Sequence, residues 1–311
     1  MKILLFTHEQ DIDGMGSIII AKQTFKNLKY ITCKTFEVNQ KVEETINNGS
    51  IYDYDFIYVT DICIKEPLLS QINADESLKD KILVLDHHKS EITEGNDKYP
   101  FVNITVENEL GRASGTSLFY EHLQAKGLLN TNPCLDELVE LTRQYDTWEW
   151  IEVYNNPKAR MLHILFEQLG YQKYIESINN LVSSSITFNF TTEQLELITD
   201  FETKLEQALN EILKRMIVQT LEINGTNYKV GFVQTLYQYR NDLSEAVFKN
   251  NSNNIDLLAM DITDKDTISY RRTKDVDVSK IAEYFGGGGH KAAASSPKDN
   301  SKIISVLKLF Q

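Results

Sequence analysis

Lys81-Ile82-Leu83-Val84-Leu85-Asp86-His87-His88-Lys89 is a short aliphatic run that stops at one acid and two adjacent histidines. Polar residues bound the run on both sides, so it reads as a buried strand in the middle of a parallel sheet. The acid and histidines then stand at its carboxyl end, where the loops of an open α/β sheet converge on a ligand crevice. Taken alone, the trio also admits a blander reading, with Asp86 opening a turn and both histidines solvated. Its weight depends on what the other strand ends carry.

Upstream, the chain alternates strands and helices. Ile3–Phe6 reads as a first strand, 14–25 as a helix, 30–36 as a second strand, 41–47 as a polar helix closed by Asn48-Gly49-Ser50, and Phe56–Thr60 as a third strand. This interleaving predicts an α/β fold with a doubly wound parallel sheet, right-handed crossovers and helices on both faces. Its 311 residues, 41% hydrophobic and 25% charged, are enough for about two globular domains and exclude a disordered chain. No apolar run approaches the roughly 18 residues of a membrane span, and no basic stretch precedes an apolar core at the amino end. The expectation is a cytoplasmic protein without a membrane partner. Cys33, Cys63 and Cys134 follow neither disulfide nor zinc spacing. A net charge of −13 argues against a grip on long duplex nucleic acid, which Lys and Arg must neutralise, but leaves a small phosphate ligand held through metals open.

Three strand ends carry acids or histidines: His8, Asp11 and Asp13 after the first, Asp61 after the third, and Asp86, His87 and His88 after the fourth. Parallel strands point one way, so these residues gather on one edge. Carboxylates with imidazoles and no thiolate suit Mn²⁺, with Zn²⁺ or Co²⁺ as alternatives. Two such ions could clamp the attacking and leaving oxygens of a phosphoryl displacement. Individually, His8 could be a loop histidine, Asp11 and Asp13 could form Asx turns or cap the following helix, and Asp61 could cap a helix near Pro67.

In order along the chain, His8-x-x-Asp11-x-Asp13-Gly14, the strand ending at Asp61, Asp86-His87-His88, and Asp146 within Gln144-Tyr145-Asp146-Thr147-Trp148 resemble the motifs of the DHH phosphoesterase family. The family's commonest spacing has one residue more between the first His and Asp than Glu9 and Gln10 provide. The resemblance implies a pair of Mn²⁺ ions, one near His8, Asp11 and Asp61, the other near Asp13, Asp61, His87 and Asp146, with Asp61 bridging. It places His88 beside the reacting phosphate, with Asp86 orienting the histidines.

Beyond the fourth strand, Gly111–Ser117 precedes a helix whose opening amides could hold an anion with help from Arg112, or be merely capped. Cys134–Trp148 is amphipathic and would deliver Asp146 from its end. Trp148 and Trp150 read as packing residues rather than base-stacking platforms. A long helix from Thr191 carries Leu195, Ile198, Phe201, Leu205, Leu209, Ile212 and Met216 at helical spacing. Asn224-Gly225 turns a hairpin within 219–233, and period-two patterns at 255–260 and 267–271 complete a smaller mixed α/β domain. The division expected is a catalytic domain over 1–190, a connecting helix over 191–218 and a substrate-binding domain over 219–311. In the last, Gly286-Gly287-Gly288-Gly289-His290 resembles the GGGGH motif of the DHH-associated C-terminal domain, and Ser269-Tyr270-Arg271 resembles its phosphate-binding arginine segment. Glycine lets backbone amides approach an anion closely. The resemblance implies substrate contacts from Arg271, Gly287, Gly288, Gly289 and His290. A basic cluster of Arg271, Arg272, Lys274, Lys280 and Lys291 limits the phosphates neutralised to a few.

The expected activity is a manganese-dependent phosphodiesterase of the nanoRNase kind, taking short oligoribonucleotides or dinucleotides to mononucleotides. A pAp phosphatase, a cyclic di-AMP or pApA hydrolase, and a non-catalytic nucleotide-binding regulator are the alternatives. A homodimer is an open option.

Overall fold

A computed structural model describes residues 1–109, 111–130, 132–249 and 253–308. The chain divides into two compact units, Met1–Thr199 and Asp200–Gln311. The α/β class read from the sequence holds in both.

The first unit runs β1 (Lys2–His8), α1 (Ile12–Thr24), β2 (Asn27–Cys33), α2 (Val38–Asn47), β3 (Phe56–Thr60), α3 (Leu68–Ala74), β4 (Ile82–Asp86), α4 (Lys89–Thr93) and β5 (Val102–Ile104). A short ladder, β6 (Glu107–Asn108) and β7 (Gly111–Arg112), leads to α5 (Gly115–Ala125), α6 (Pro133–Asp146), α7 (Glu149–Glu152) and α8 (Pro157–Ser184). The five long strands form one parallel sheet in the order β2-β1-β3-β4-β5. Chain order reverses between β1 and β3, the point where such sheets open a ligand crevice. Thr7 pairs with Thr60, and Thr60 with Leu85. The next residues, His8, Asp61 and Asp86, therefore stand in one row along the carboxyl edge.

Successive side chains of a strand face opposite ways. Leu4 and Phe6 share a core with Val42 of α2 and with Leu69 and Ile72 of α3. On the other face α1 is buried from Ile12 to Ala21 and packs on α5, α6 and α8. Apolar surface all round a helix fits such enclosure.

β2 lies three residues earlier than the sequence suggests: it pairs with β1 from Lys2 opposite Asn27 to His8 opposite Cys33, and Phe36 beyond it is exposed. The β-branched run continues past the end of its partner strand, so composition overshoots the ladder. No single periodicity announces α8, because Gly170, at φ +69°, breaks it into two helical runs of different phase.

The second unit takes in most of α9 (Thr192–Lys214), then β8 (Ile217–Ile223), β9 (Thr226–Thr235), α10 (Arg240–Lys249), β10 (Leu257–Ile262), β11 (Thr267–Arg272), α11 (Val278–Tyr284), β12 (Gly288–Gly289), β13 (Ala293–Pro297) and α12 (Ser301–Leu307). Its mixed sheet has the order β12-β13-β11-β10-β9-β8. Asn224 and Gly225, both at positive φ (52° and 76°), make the tight β8–β9 turn that this dipeptide favours. One face packs on Val278, Ile281 and Phe285. The other packs on Leu243 and Val247, with Leu209 and Ile212 of α9 and Met216 just beyond it. Among the described residues no helix is long and apolar enough to cross a membrane.

Candidate active site

The loop after β1 turns at once into α1. Asp11 caps that helix, its Oδ1 accepting from the amides of Asp13 and Gly14 at 3.1 Å each, while its Oδ2 lies 2.8 Å from His8 Nδ1. The capping role admitted by the sequence is therefore real, and it leaves the second oxygen facing the histidine. Gly14 is needed here because a Cβ would fall 1.9 Å from the His8 carbonyl oxygen.

Asp13 is fully buried. Its carboxylate accepts from the amides of Gly115 (2.6 Å) and Thr116 (2.9 Å), and its carbonyl accepts from the Thr116 hydroxyl. These are the opening amides of α5, whose dipole and free N–H groups favour an anion. The anion they hold is the protein's own Asp13, where the sequence left an anion-holding and a merely capped helix start both open. Arg112 is likewise engaged elsewhere: its Nη1 donates to the Thr147 carbonyl at 2.7 Å and its Nη2 pairs with Glu152 at 3.1 Å.

Asp61 follows β3 with φ +62°, a left-handed conformation that costs a residue with a Cβ about 1–3 kcal/mol. That turn points a buried carboxylate between two histidines, with Oδ2 3.6 Å from His8 Nδ1 and Oδ1 3.3 Å from His87 Nε2. α5 presses against its backbone, and a Cβ on Gly115 would lie 2.5 Å from Asp61 Cβ and 2.7 Å from its Cα and N. His87 Nε2 has two further carboxylate neighbours, Asp146 Oδ2 at 3.5 Å and Asp13 Oδ2 at 3.8 Å. Asp146 arrives as the last residue of α6.

Asp86 contacts both histidines. Its Oδ1 accepts from the His87 amide at 2.7 Å and lies 2.7 Å from His88 Nδ1. The His88 side chain is 51% exposed, whereas that of His87 is 14% exposed. One histidine faces inward and the other outward.

The electrostatics of the nest are strained. Burial, then the charges of Asp13, Asp11, Asp146 and Asp86, push the Asp61 carboxyl well above its ordinary range. Burial and neighbouring carboxylates do the same to Asp146. Burial also lowers His87, against the pull of Asp13, favouring the neutral imidazole that can ligate a metal. The hydrogen bond to Asp86 raises His88 despite burial. His8 Nε2 and one carboxylate oxygen each of Asp61, Asp86 and Asp146 are buried without a hydrogen-bond partner. Buried charge left unpaired is costly, and cations among these atoms would relieve it. Among the described residues, potential ligand atoms within 4.8 Å of one another form the groups His8-Asp11-Asp61, Asp13-His87-Asp146 and Asp61-Asp86-His87-His88. The all-nitrogen-and-oxygen donor set fits a hard or borderline divalent ion. A fourth group, Cys63-Asp86-Glu91, is different, because Lys65 already pairs with Glu91 at 2.5 Å.

In the second unit a cavity of about 530 Å³ is lined by β11, β12 and β13 and by the β9–α10 connection. Arg271 enters it held by neutral acceptors, Ser269 Oγ at 2.9 Å, the Tyr270 carbonyl at 3.0 Å and Asn241 Oδ1 at 3.3 Å. Arg240 and Lys265 also line it, with Tyr237 between them, its ring centroid 3.6 Å from the Arg240 guanidinium carbon and 5.7 Å from Lys265 Nζ. Among the described residues no acid lines this cavity. Of the glycines, Gly288 and Gly289 line it; Gly287 has backbone closely apposed, since a Cβ there would sit 2.0 Å from the Ser295 carbonyl. His290 stands exposed at the β12–β13 turn, its amide donating to the Ala293 carbonyl at 2.8 Å. Lys274 and Lys291 of the supposed basic cluster are paired, with Asp256 and Asp275 at 2.7 Å each, and Arg272 stands 3.4 Å from Asp275. The cations of the cavity are instead Arg240, Lys265 and Arg271, of which the first two sit in no motif.

The model of the DHH family N-terminal domain matches residues 2–143. Oligoribonuclease NrnB of Bacillus subtilis is 30% identical over 312 aligned residues, 99% of this chain and 76% of the relative. Among solved structures, the pGpG-specific phosphodiesterase PggH of Vibrio cholerae superposes with a TM-score of 0.56 at 12% identity, covering 100% of this chain and 99% of that one. Exonuclease RecJ bound to manganese gives 0.51 at 13% identity, covering 99% and 89%. Both superpositions concern the fold.

Proposed function

The chain belongs to the DHH family of metal-dependent phosphoesterases, and from that premise we propose that it is a manganese-dependent phosphodiesterase that takes short oligoribonucleotides or dinucleotides to mononucleotides. The observation that carries this reading is the nest of buried, partnerless carboxylate and imidazole atoms at the carboxyl edge of the first sheet. His8, Asp11 and Asp61 would hold one ion, and Asp13, Asp61, His87 and Asp146 the other. When bound, the ions supply positive charge to the phosphoryl oxygens at which negative charge develops. The chain's own contribution is rigidity: the α5 amides fix Asp13, and the left-handed turn fixes Asp61. Asp86 holds His88 by Nδ1, leaving Nε2 to donate to a phosphate oxygen, and the raised basicity of His88 favours the protonated form that can do so.

The second unit supports a short substrate. A cavity that among the described residues is lined by three cations and no acid suits a terminal phosphate or nucleotide, while an overall charge of −13 discourages a long one. The relative that spans the whole chain is named an oligoribonuclease. Product chromatography with Mn²⁺ on pApA, a five-residue RNA, a 24-residue RNA, pAp, cyclic di-AMP and pyrophosphate tests the reading. Turnover of the first two well above the 24-residue RNA is expected. Turnover of pAp alone would replace the reading with a phosphatase, and of cyclic di-AMP with a cyclic-dinucleotide hydrolase.

A further inference from the structure

Two residues after Asp146, Trp148 adopts φ +63° and ψ 4°, the left-handed conformation, as the residue preceding α7. For a bulky aromatic this is a true outlier, and such strain persists only where the surroundings enforce it. Here they do. Arg143, with a side chain only 3% exposed, pairs with Glu149 at 2.5 Å and with Glu140 at 2.8 Å, and donates to the Arg112 carbonyl at 2.9 Å. Glu149 accepts from the Arg112 amide at 3.2 Å, and the Arg112 guanidinium grips the Thr147 carbonyl at 2.7 Å. The residues on either side of Trp148 are thus pinned by a buried ion-pair network. The network does not bury the indole, which stays 47% exposed.

Behind it runs a series of rings: His163 and Tyr145 stack with centroids 4.4 Å apart, Tyr145 and Trp150 at 6.2 Å, and Trp150 and Trp148 at 6.3 Å. The series begins on α8 and ends at the surface with Trp148. Two residues span at most about 7 Å of chain, so the backbone of Trp148 lies close to that of Asp146. Asp146 Oδ2 is itself 3.5 Å from His87 Nε2. A strained, clamped and exposed tryptophan two residues from Asp146 has the chemistry that stacks nucleobases whatever their identity.

Resting on the phosphodiesterase reading above, we propose that Trp148 is the platform on which a nucleobase flanking the scissile phosphate stacks. This makes it a specificity-determining residue that selects nucleotide over simple phosphodiesters. Of the two tryptophans read from the sequence as packing residues, Trp150 is 7% exposed and Trp148 47% exposed, packing on Trp150 by one side.

Trp148 and Trp150 are the only two tryptophans, so intrinsic fluorescence reports on the platform directly. Titration with a hydrolysis-resistant methylphosphonate-linked diadenosine in Mg²⁺ should quench wild-type emission, and the quench should vanish in Trp148→Phe. Trp148→Ala should lose roughly 5- to 150-fold in kcat/KM on the natural diadenosine, the span of base–aromatic stacking. Trp148→Phe should keep most of that rate. On a dinucleotide whose flanking base is removed, the Ala loss should shrink to about twofold. Equal losses on the intact and abasic substrates would overturn the proposal, because Trp148 would then only prop Asp146. Binding of the probe by calorimetry without any change in fluorescence would overturn it too. Trp148→Gly, which frees the left-handed backbone, should melt higher than Trp148→Ala while sharing its kinetic loss; a lower melting temperature would remove the strain on which the inference stands. Should the wild type cleave no phosphodiester at all, the functional reading fails, while the fluorescence titration still decides whether Trp148 meets a base.

Discussion

Gly115→Ala tests whether the contact between α5 and the loop after β3 sets the geometry of the site. The new Cβ would stand 2.5 Å from Asp61 Cβ, 0.9 Å inside the 3.4 Å at which ordinary contact begins, and both neighbours are backbone or backbone-anchored. Neither can swing aside. The start of α5 or the left-handed Asp61 must move by about 1 Å, and Gly115 also donates the 2.6 Å bond to Asp13. Overpacking of this kind costs about 1–3 kcal/mol. For a unit the size of Met1–Thr199, that corresponds to a fall of roughly 2–12 °C in Tm. The catalytic loss should be larger in proportion, since a displacement of about 1 Å at reacting groups can cost on the order of 100-fold. Calorimetry of the metal-free chain and steady-state hydrolysis of pApA with Mn²⁺ would measure both. Gly288→Ala is the control for stability, because no atom lies within 4 Å of its Cβ position. A Gly115→Ala protein with unchanged Tm and unchanged rate would refute the close-contact argument.

Other outcomes follow from the same geometry. Asp61→Asn should bind fewer than two Mn²⁺ per chain by elemental analysis and lose turnover beyond the roughly 10²–10⁴-fold of a lone acid–base group; full activity would end the bridging assignment. His88→Ala should keep both metals and lose rate, and loss of metal instead would mean that the two histidines exchange roles. Asp61 and Asp146 have carboxyls raised above their unfolded values, so folding of the metal-free chain favours their protonated forms. Its Tm should therefore fall as pH rises from about 4 towards neutrality, and Mn²⁺ should restore more stability at pH 7.5 than at pH 5; a metal-free Tm that rises over this range would contradict the crowding. Arg271→Ala should lower kcat/KM for pApA by roughly 10- to 150-fold, the loss of a charge-assisted hydrogen bond or two, with metal content intact.

The parts legible in the sequence are those with local causes. Ile82–Leu85 announces β4 because a buried parallel strand is continuously apolar, and Asn224-Gly225 announces its hairpin because few other pairs accept two positive φ angles. The row of acids and histidines is legible for the same reason, since parallel strands bring their ends together. What escapes is contact between distant residues. Nothing near Asp13 tells that Gly115 and Thr116 will donate to it, so the sequence left an anion-holding and a merely capped helix start both open. Arg240 and Lys265 stand alone in sequence and become a pair only because Tyr237 lies between them. Trp148 looked apolar enough for a core, and only the clamp of Arg112, Arg143 and Glu149 keeps it at the surface.

The bond between Asp13 and α5 spans 102 positions of chain, and Asp146 lies further on still. During synthesis, β1 to β4 can leave the ribosome and begin to pair long before the amides that neutralise Asp13 exist. Closing so long a loop is slow, and parallel sheets gain their reward late. Until those amides are made, the Asp13 carboxylate lacks its two backbone donors. The acid cluster is complete only once α5 and α6 have docked. In refolding experiments the protection of Asp61 and His87 by Mn²⁺ should appear as the final kinetic phase, after the sheet has formed.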